Sequence, residues 1–404
     1  MRVVAGGSRS HAPRGNALSG RSASPRPRLA SQGDAHLGRA AGAATQGVPT
    51  GDRGNDGMNV CRAIPAGLLM FCLLGGLPAT GGEKTEPEKS AAELITPPAE
   101  QAIRKGLAWL ADRQNDDGSF GTGVHRGNVG ICGLCGMAFM SGGSTPGRGP
   151  YGRSIDRALD YVLANAQQSG FILEPATASH GPMYNHGFAT LFLAECYGMS
   201  PRADLREKLA KAVKLIVNTQ NQEGGWRYFP KRDDADLSVT ACEVMALRAA
   251  RNAGLYVPKE TFERATGYVK RCRNADGGFV YMLSAGGESA FPRSAAALVA
   301  LAGAGVYEGP EVNGGLDYLM TFLPADNVVR LETYFEYGQY YAAQAMWLAG
   351  GQRWAKWYPA VRDELLVRQR PDGSWMSSYG AEYATAMLLM VLQMPENQLP
   401  IFQR

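Results

Sequence analysis

Histidine is scarce in this chain, with 5 in 404 residues, and no apolar run reaches the about 20 residues that a membrane-spanning helix needs. There is no Gly-Lys-Ser/Thr phosphate loop, no Gly-x-Ser-x-Gly nucleophile elbow and no His-Glu-x-x-His. Nothing therefore points to a phosphate-loop nucleotidase, an elbow-type serine hydrolase or a helical zinc protease. Beyond residue 81 there are five cysteines: Cys132, Cys135, Cys196, Cys242 and Cys272. An odd number on apolar stretches is a poor disulfide framework, so buried free thiols are expected. Excess charge is also missing. Residues 1–57 hold 8 Lys/Arg and 3 Asp/Glu, while the remainder holds 33 basic and 34 acidic residues. The basic balance belongs to the tail, and the rest gives no basis for nucleic acid as a partner.

What is present falls into segments. Residues 1–57 are rich in Gly, Ala, Ser, Arg and Pro, cannot bury enough surface to offset ordering, and are expected to be disordered or to lie upstream of the true start at Met58. Residues 58–81 have Arg62, an apolar core from Ala63 to Leu77, and Ala79-Thr80-Gly81, which is a secretory signal pattern. The expected location is exported, in the periplasm or cell envelope, with this segment as the one route to membrane association. Residues 82–99 read as a linker, 100–395 as the folded domain and 396–404 as a carboxyl-terminal tail.

A repeat organises the domain. Gln114-NDDGS-Phe120, Gln220-NQEGG-Trp226, Arg273-NADGG-Phe279 and Gln369-RPDGS-Trp375 share one pattern, with a shortened relative at Gln167-QSG-Phe171. The starts at 114, 167, 220 and 273 are each 53 apart, and a decayed copy falls near Phe322–Asn327. Each motif follows an amphipathic helix, as in Glu100–Arg113, Pro201–Thr219 and Pro258–Arg271. Each precedes a nearly uncharged one: Val129–Ser141, Phe188–Tyr197, Leu237–Ala250, Ser294–Gly303, Tyr340–Gly350 and Tyr383–Leu392. A helix apolar on all sides is buried, so six outer helices should surround six inner ones. Closure into a ring leaves no apolar terminal repeat to cap.

The motif Gln-x-x-Asp/Glu-Gly-x-aromatic resembles that of the terpenoid cyclases and protein prenyltransferases, an all-α superfamily of α/α toroids. The resemblance covers about residues 100–395 and is nearest to a bacterial group of exported prenyltransferase and squalene oxidase repeat proteins. It implies that Gln114, Gln220 and Gln369 cap neighbouring helix ends and that Phe120, Trp226, Phe279 and Trp375 pack over the turns.

In such a ring the amino-terminal ends of the inner helices open on a central cavity, and their dipoles favour anions. The polar residues there are the site candidates: Tyr184, His186, Asp234, Asp236, Ser238, Arg293, Tyr337, Glu382 and Tyr383. Three templates of the superfamily bear on them. The cyclase acid motif, Asp-x-Asp-Asp-Thr-Ala, aligns with Asp236 first and Thr240-Ala241 last, but Ser238 and Val239 replace its middle acids. A shift by two residues places Asp234 and Asp236 on acids and loses Thr-Ala. The Asp-x-Cys of the prenyltransferase zinc site is absent; His125, Cys132 and Cys135 are the nearest metal-type set, but Cys132 and Cys135 read first as two small buried residues on an inner helix. The Cys-x-Glu-Gln thioester is absent too.

His186 reads either as an acid or base at neutral pH or as a helix-end histidine bonded to backbone. Asp236 is a natural helix N-cap as well as a candidate acid. The resulting expectation is an exported toroid that binds, and with Asp234 or Asp236 and His186 transforms, a small isoprenoid-like or other apolar ligand. Neither a cofactor nor a metal is implied. The rival expectations are a non-catalytic envelope interaction toroid and a polysaccharide-active enzyme.

Overall fold

A computed structural model describes residues 93–324 and 333–403. The tail, the signal segment, residues 82–92 of the linker and residues 325–327 of the decayed motif lie outside the described residues. The described chain is helical, with twelve α-helices in alternating outer and inner positions and no β-strand. The outer helices are α1 (Pro97–Asp112), α3 (Gly152–Ala164), α5 (Ala203–Thr219), α7 (Lys259–Arg271), α9 (Pro310–Met320) and α11 (Gly351–Arg368). The inner ones are α2 (Val129–Ser141), α4 (Pro182–Cys196), α6 (Leu237–Asn252), α8 (Phe291–Gly303), α10 (Phe335–Ala349) and α12 (Ala381–Leu392).

The two sets differ in how they meet water. In α5, Leu205, Leu209, Ala212, Val213 and Ile216 form one buried stripe, while Arg206, Glu207 and Lys214 are exposed. Every residue of α2 is buried. Each inner helix packs on the next, and α12 packs back on α2, so the ring closes. The helices of this ring are parallel, since Gly130 near the start of α2 lies against Asn185 near the start of α4. Along the same seam Gly136 is required: a Cβ there would lie 2.3 Å from the Phe192 ring.

The motifs hold the ring together from outside. The Gln220 side-chain amide donates to the carbonyls of Gly224 and Thr261, both at 2.9 Å, tying the turn to α7. Gln114 does the same to Gly118 and Ser154. Gln369 does so to Gly373 and to Ala102 in α1, which joins the last unit to the first. The indoles of Trp226 and Trp375 donate to the Ile216 and Leu365 carbonyls at the ends of the preceding outer helices. Motif glycines such as Gly224, with φ +100°, adopt the left-handed conformation that the turn needs.

Four inner helices begin earlier than their apolar pattern suggests: α4 at Pro182, α8 at Phe291, α10 at Phe335 and α12 at Ala381. In α4 and α8 a proline in the first two positions presets the helical φ and has no N–H to leave unpaired. The expected tail is also different. Leu399, Ile401 and Phe402 are buried against α6 and α10. The Ile401 N–H donates to Glu195 Oε2 at 3.4 Å, and the Arg248 guanidinium donates to the Gln403 carbonyl. The chain end thus covers the carboxyl-terminal side of the ring.

Candidate functional site

The middle of the ring is bridged. Phe188 of α4 and Tyr340 of α10, on opposite sides, are in edge contact with centroids 6.3 Å apart. Tyr340 abuts Tyr341 at 5.0 Å, and Tyr341 abuts Tyr337 at 4.6 Å, so a column of rings climbs from the bridge to the amino-terminal mouth. The ring is the expected toroid, but its central cavity does not run the length of the ring, being interrupted at this contact.

Above the bridge four inner helices converge. The Tyr337 hydroxyl of α10 donates to the Ser238 carbonyl of α6 at 3.4 Å. Tyr184 of α4 reaches Ser238 and Tyr337, and Tyr383 of α12 neighbours Tyr337, Tyr379 and Glu336. Tyr184, Tyr337 and Tyr383 are partly buried and keep some accessible surface at this end of the ring. Burial pushes all three phenols well above their ordinary range, so they stay protonated donors. On one side of the mouth Tyr334, Tyr379, Tyr383 and His125 form a chain of ring contacts at 5.4–6.3 Å. Tyr334 is 55% exposed and holds φ +60°, uncommon for a bulky residue.

The acid cluster resolves into separate roles. Asp234 is half exposed and paired with the Arg227 guanidinium. Asp236 is fully buried; one carboxyl oxygen caps α6 by accepting from the Val239 N–H at 2.8 Å. Its Oδ2 has no hydrogen-bond partner, with Arg227 Nε 3.8 Å away and the Tyr281 hydroxyl nearby. Burial pushes this carboxyl up to about 6, against the pull of the Val239 amide, Tyr281 and Arg227. Tyr281 and Tyr228 share a hydrogen bond at 2.6 Å, and Tyr228 packs against Tyr184.

Arg227, Tyr228 and Tyr281 were not among the sequence candidates. The signal was present: both tyrosines stand two residues past a motif aromatic and are one repeat length, 53 residues, apart.

Other candidates are placed elsewhere. His186 does not begin its helix and does not join this cluster at the mouth. Its Nδ1 accepts from the Ile172 N–H at 3.1 Å, and its Nε2 faces the Ala212 carbonyl of outer helix α5 at 3.4 Å. Burial lowers its pKa to about 4, so it is neutral, with the proton on Nε2. The same position recurs in other units. The motif aromatic N–H donates to Cys132 Sγ, to Thr240 and Thr385 Oγ1 and to Ser294 Oγ in turn. His186 is this repeat's version of that acceptor. Arg293 is committed to the carbonyls of Phe279 and Glu288. Glu382 is buried at the second position of α12, and its Oε2 has no hydrogen-bond partner. Cys132 is engaged by Phe120, and no cluster of three metal-type side chains forms among the described residues.

A closed double ring of helices with a tyrosine-lined mouth defines an α/α toroid with a candidate site at the starts of its inner helices. The prenyltransferase alpha-alpha toroid domain matches residues 99–209 and 156–323, and the chain belongs to that family. No curated protein matches the sequence. Among solved structures, the type II terpene cyclase MstE from Scytonema, in complex with geranylgeranyl dihydroxybenzoate, is 16% identical with a TM-score of 0.55, covering 75% of this chain and 98% of that one. The GH76A alpha-1,6-mannanase of Salegentibacter is 7% identical with a TM-score of 0.52, covering 74% and 99%. At these identities the likeness is one of fold. No helix among the described residues is long and apolar enough to cross a membrane.

Proposed function

We propose that the mouth binds an isoprenoid-like or other apolar ligand and that Asp236 is the acid available for its turnover. One observation carries this: Tyr184, Ser238, Tyr337 and Tyr383, from four different inner helices, meet at the ring's amino-terminal end beside a buried carboxyl whose proton is held unusually well. Phenol faces attract developing positive charge. A carboxyl kept partly protonated near pH 6 can supply the proton that starts such chemistry. The Phe188–Tyr340 bridge limits the ligand to the part that fits above it. Family membership and the cyclase neighbour support the ligand class. Asp234 acts through Arg227, and His186, bonded to backbone on both sides, takes no part. The protein works in the periplasm or cell envelope after loss of residues 58–81, and amino-terminal sequencing of the native protein checks this: a mature chain that still carries residues 58–81 would contradict it.

Mass spectrometry of ligand retained by protein from its native source tests the reading. A polyprenyl or triterpenoid species supports it. Asp236→Asn should then lower turnover at least about a hundredfold, the scale of a lost general acid, and Asp234→Asn should lower it less. Unchanged turnover in both retires the acid assignment. The filled bridge favours one second reading, a non-catalytic interaction toroid, for which the ligand would be retained but never altered.

A further inference from the structure

The mouth holds more polar atoms than an apolar ligand would use. Asp236 Oδ2, Glu382 Oε2, the Asn185 amide nitrogen and the Tyr341 hydroxyl are buried and have no hydrogen-bond partner, Arg227 Nε standing 3.8 Å from Asp236 Oδ2 as an ion pair. Buried polar groups are nearly always paired, so a set like this near one opening marks a place for a polar ligand or its waters. The set mixes acceptors, donors and groups that do both. A carboxyl oxygen accepts, an amide nitrogen donates, and a phenol does either.

An anionic head does not fit this set. Asp234, Asp236, Glu336 and Glu382 stand at the inner-helix starts, while Arg227 is paired with Asp234 and Arg293 is spent on two carbonyls. A diphosphate would meet more carboxyls than free cations. A hydroxyl both donates and accepts, carries no charge, and matches the mixture. The contiguous rings of Tyr334, Tyr379 and Tyr383 add an apolar face of the kind that packs on the C–H side of a sugar ring.

We infer that the mouth recognises a polyhydroxylated, sugar-like head group. This rests on the mouth being the ligand site and sharpens it. The head can come from two sources: a free oligosaccharide, or the end of an amphiphile whose chain lies along the tyrosines. Both present the same chemistry to Asp236, Glu382 and Tyr341.

The test is calorimetric titration of the full chain with octyl glucoside and octyl mannoside below their micelle concentrations, with maltotriose and mannotriose, and with geranylgeranyl diphosphate. Sugar-headed probes should bind more tightly than the diphosphate. Octyl glycosides outbinding the trisaccharides assigns the head to an amphiphile; the reverse assigns a saccharide. Tyr341→Phe, which removes one unpaired hydroxyl, should weaken glycoside binding about fivefold, the worth of one hydrogen bond. Tyr337→Phe is the second probe should Tyr341→Phe fold poorly. Diphosphate binding as tight as the best sugar-headed probe, or no binding of any octyl glycoside or trisaccharide, overturns the inference. Binding that survives Tyr383→Ala unchanged overturns the mouth as the site, which is a separate failure.

Discussion

Asp236 shows how one carboxyl can serve structure and remain available for chemistry. One oxygen caps α6, and the other faces Arg227 and Tyr281 without a bond. Its folded pKa is raised from 3.8 to about 6, so the folded chain holds this proton where the unfolded chain releases it. Stability from this group is complete below about pH 4, falls as pH rises through 6 and is flat above, a difference of roughly 2–3 kcal/mol. Asp236→Asn keeps the cap and removes the titration. Denaturant melts from pH 4 to 7 should therefore show a flatter dependence in the variant; identical slopes would count against the raised carboxyl.

His186 read from sequence either as an acid or base or as a histidine bonded to backbone, and it is the second; which backbone groups it bonds was not legible. The sequence does not reveal that the residue facing the motif's backbone N–H is Cys132, Thr240, Ser294 and Thr385 in other units, because spacing from motif to acceptor varies. His186→Ala should cost roughly 1–3 kcal/mol for the orphaned Ile172 N–H, measured by chemical denaturation, with the pH profile of any activity unmoved.

At the scale of elements, the repeat was readable because the motif must do the same job in each unit. A glutamine amide with two donors can pin a turn and the next outer helix at once, and a large aromatic can cover both. That constraint conserves residue types within one chain at a 53-residue spacing. Helix starts were less readable. Proline at the first positions of α4 and near that of α8 extends each helix upstream of its apolar run, which shifted the expected starts by three to six residues. Gln369 makes the clasp with the longest sequence separation, to Ala102. Gln369→Ala should lower stability by about 1–3 kcal/mol and should raise the rate of proteolysis in α1 before other helices. Equal loss from Gln114→Ala with no change at α1 would argue against a closing role. Gly136→Ala forces a Cβ against Phe192 and should cost about 1–3 kcal/mol by overpacking the α2–α4 seam.

For the whole molecule, composition and repeat together implied a closed ring with its site at the inner-helix starts, and the ring is closed. What they did not convey was the filling of its centre. Whether Tyr340 and Phe188 line a cavity or meet across it depends on the ring's radius, which no periodicity encodes. The carboxyl-terminal residues were similarly opaque: Ile401 and Phe402 look like an ordinary short tail until the underside of the ring is there to receive them. Removing residues 399–404 would uncover Glu195 and Arg248 and their apolar neighbours, and should lower the melting temperature by several degrees.

The central claim is that ligand is held at the amino-terminal mouth, above the Phe188–Tyr340 bridge. A crystal structure of the protein with its retained ligand tests this most directly. The account predicts density against Tyr184, Tyr337 and Tyr383, with a polar group near Asp236 and Phe188 still touching Tyr340. Ligand density below an opened bridge, or on the outer helices with the mouth empty, would contradict it.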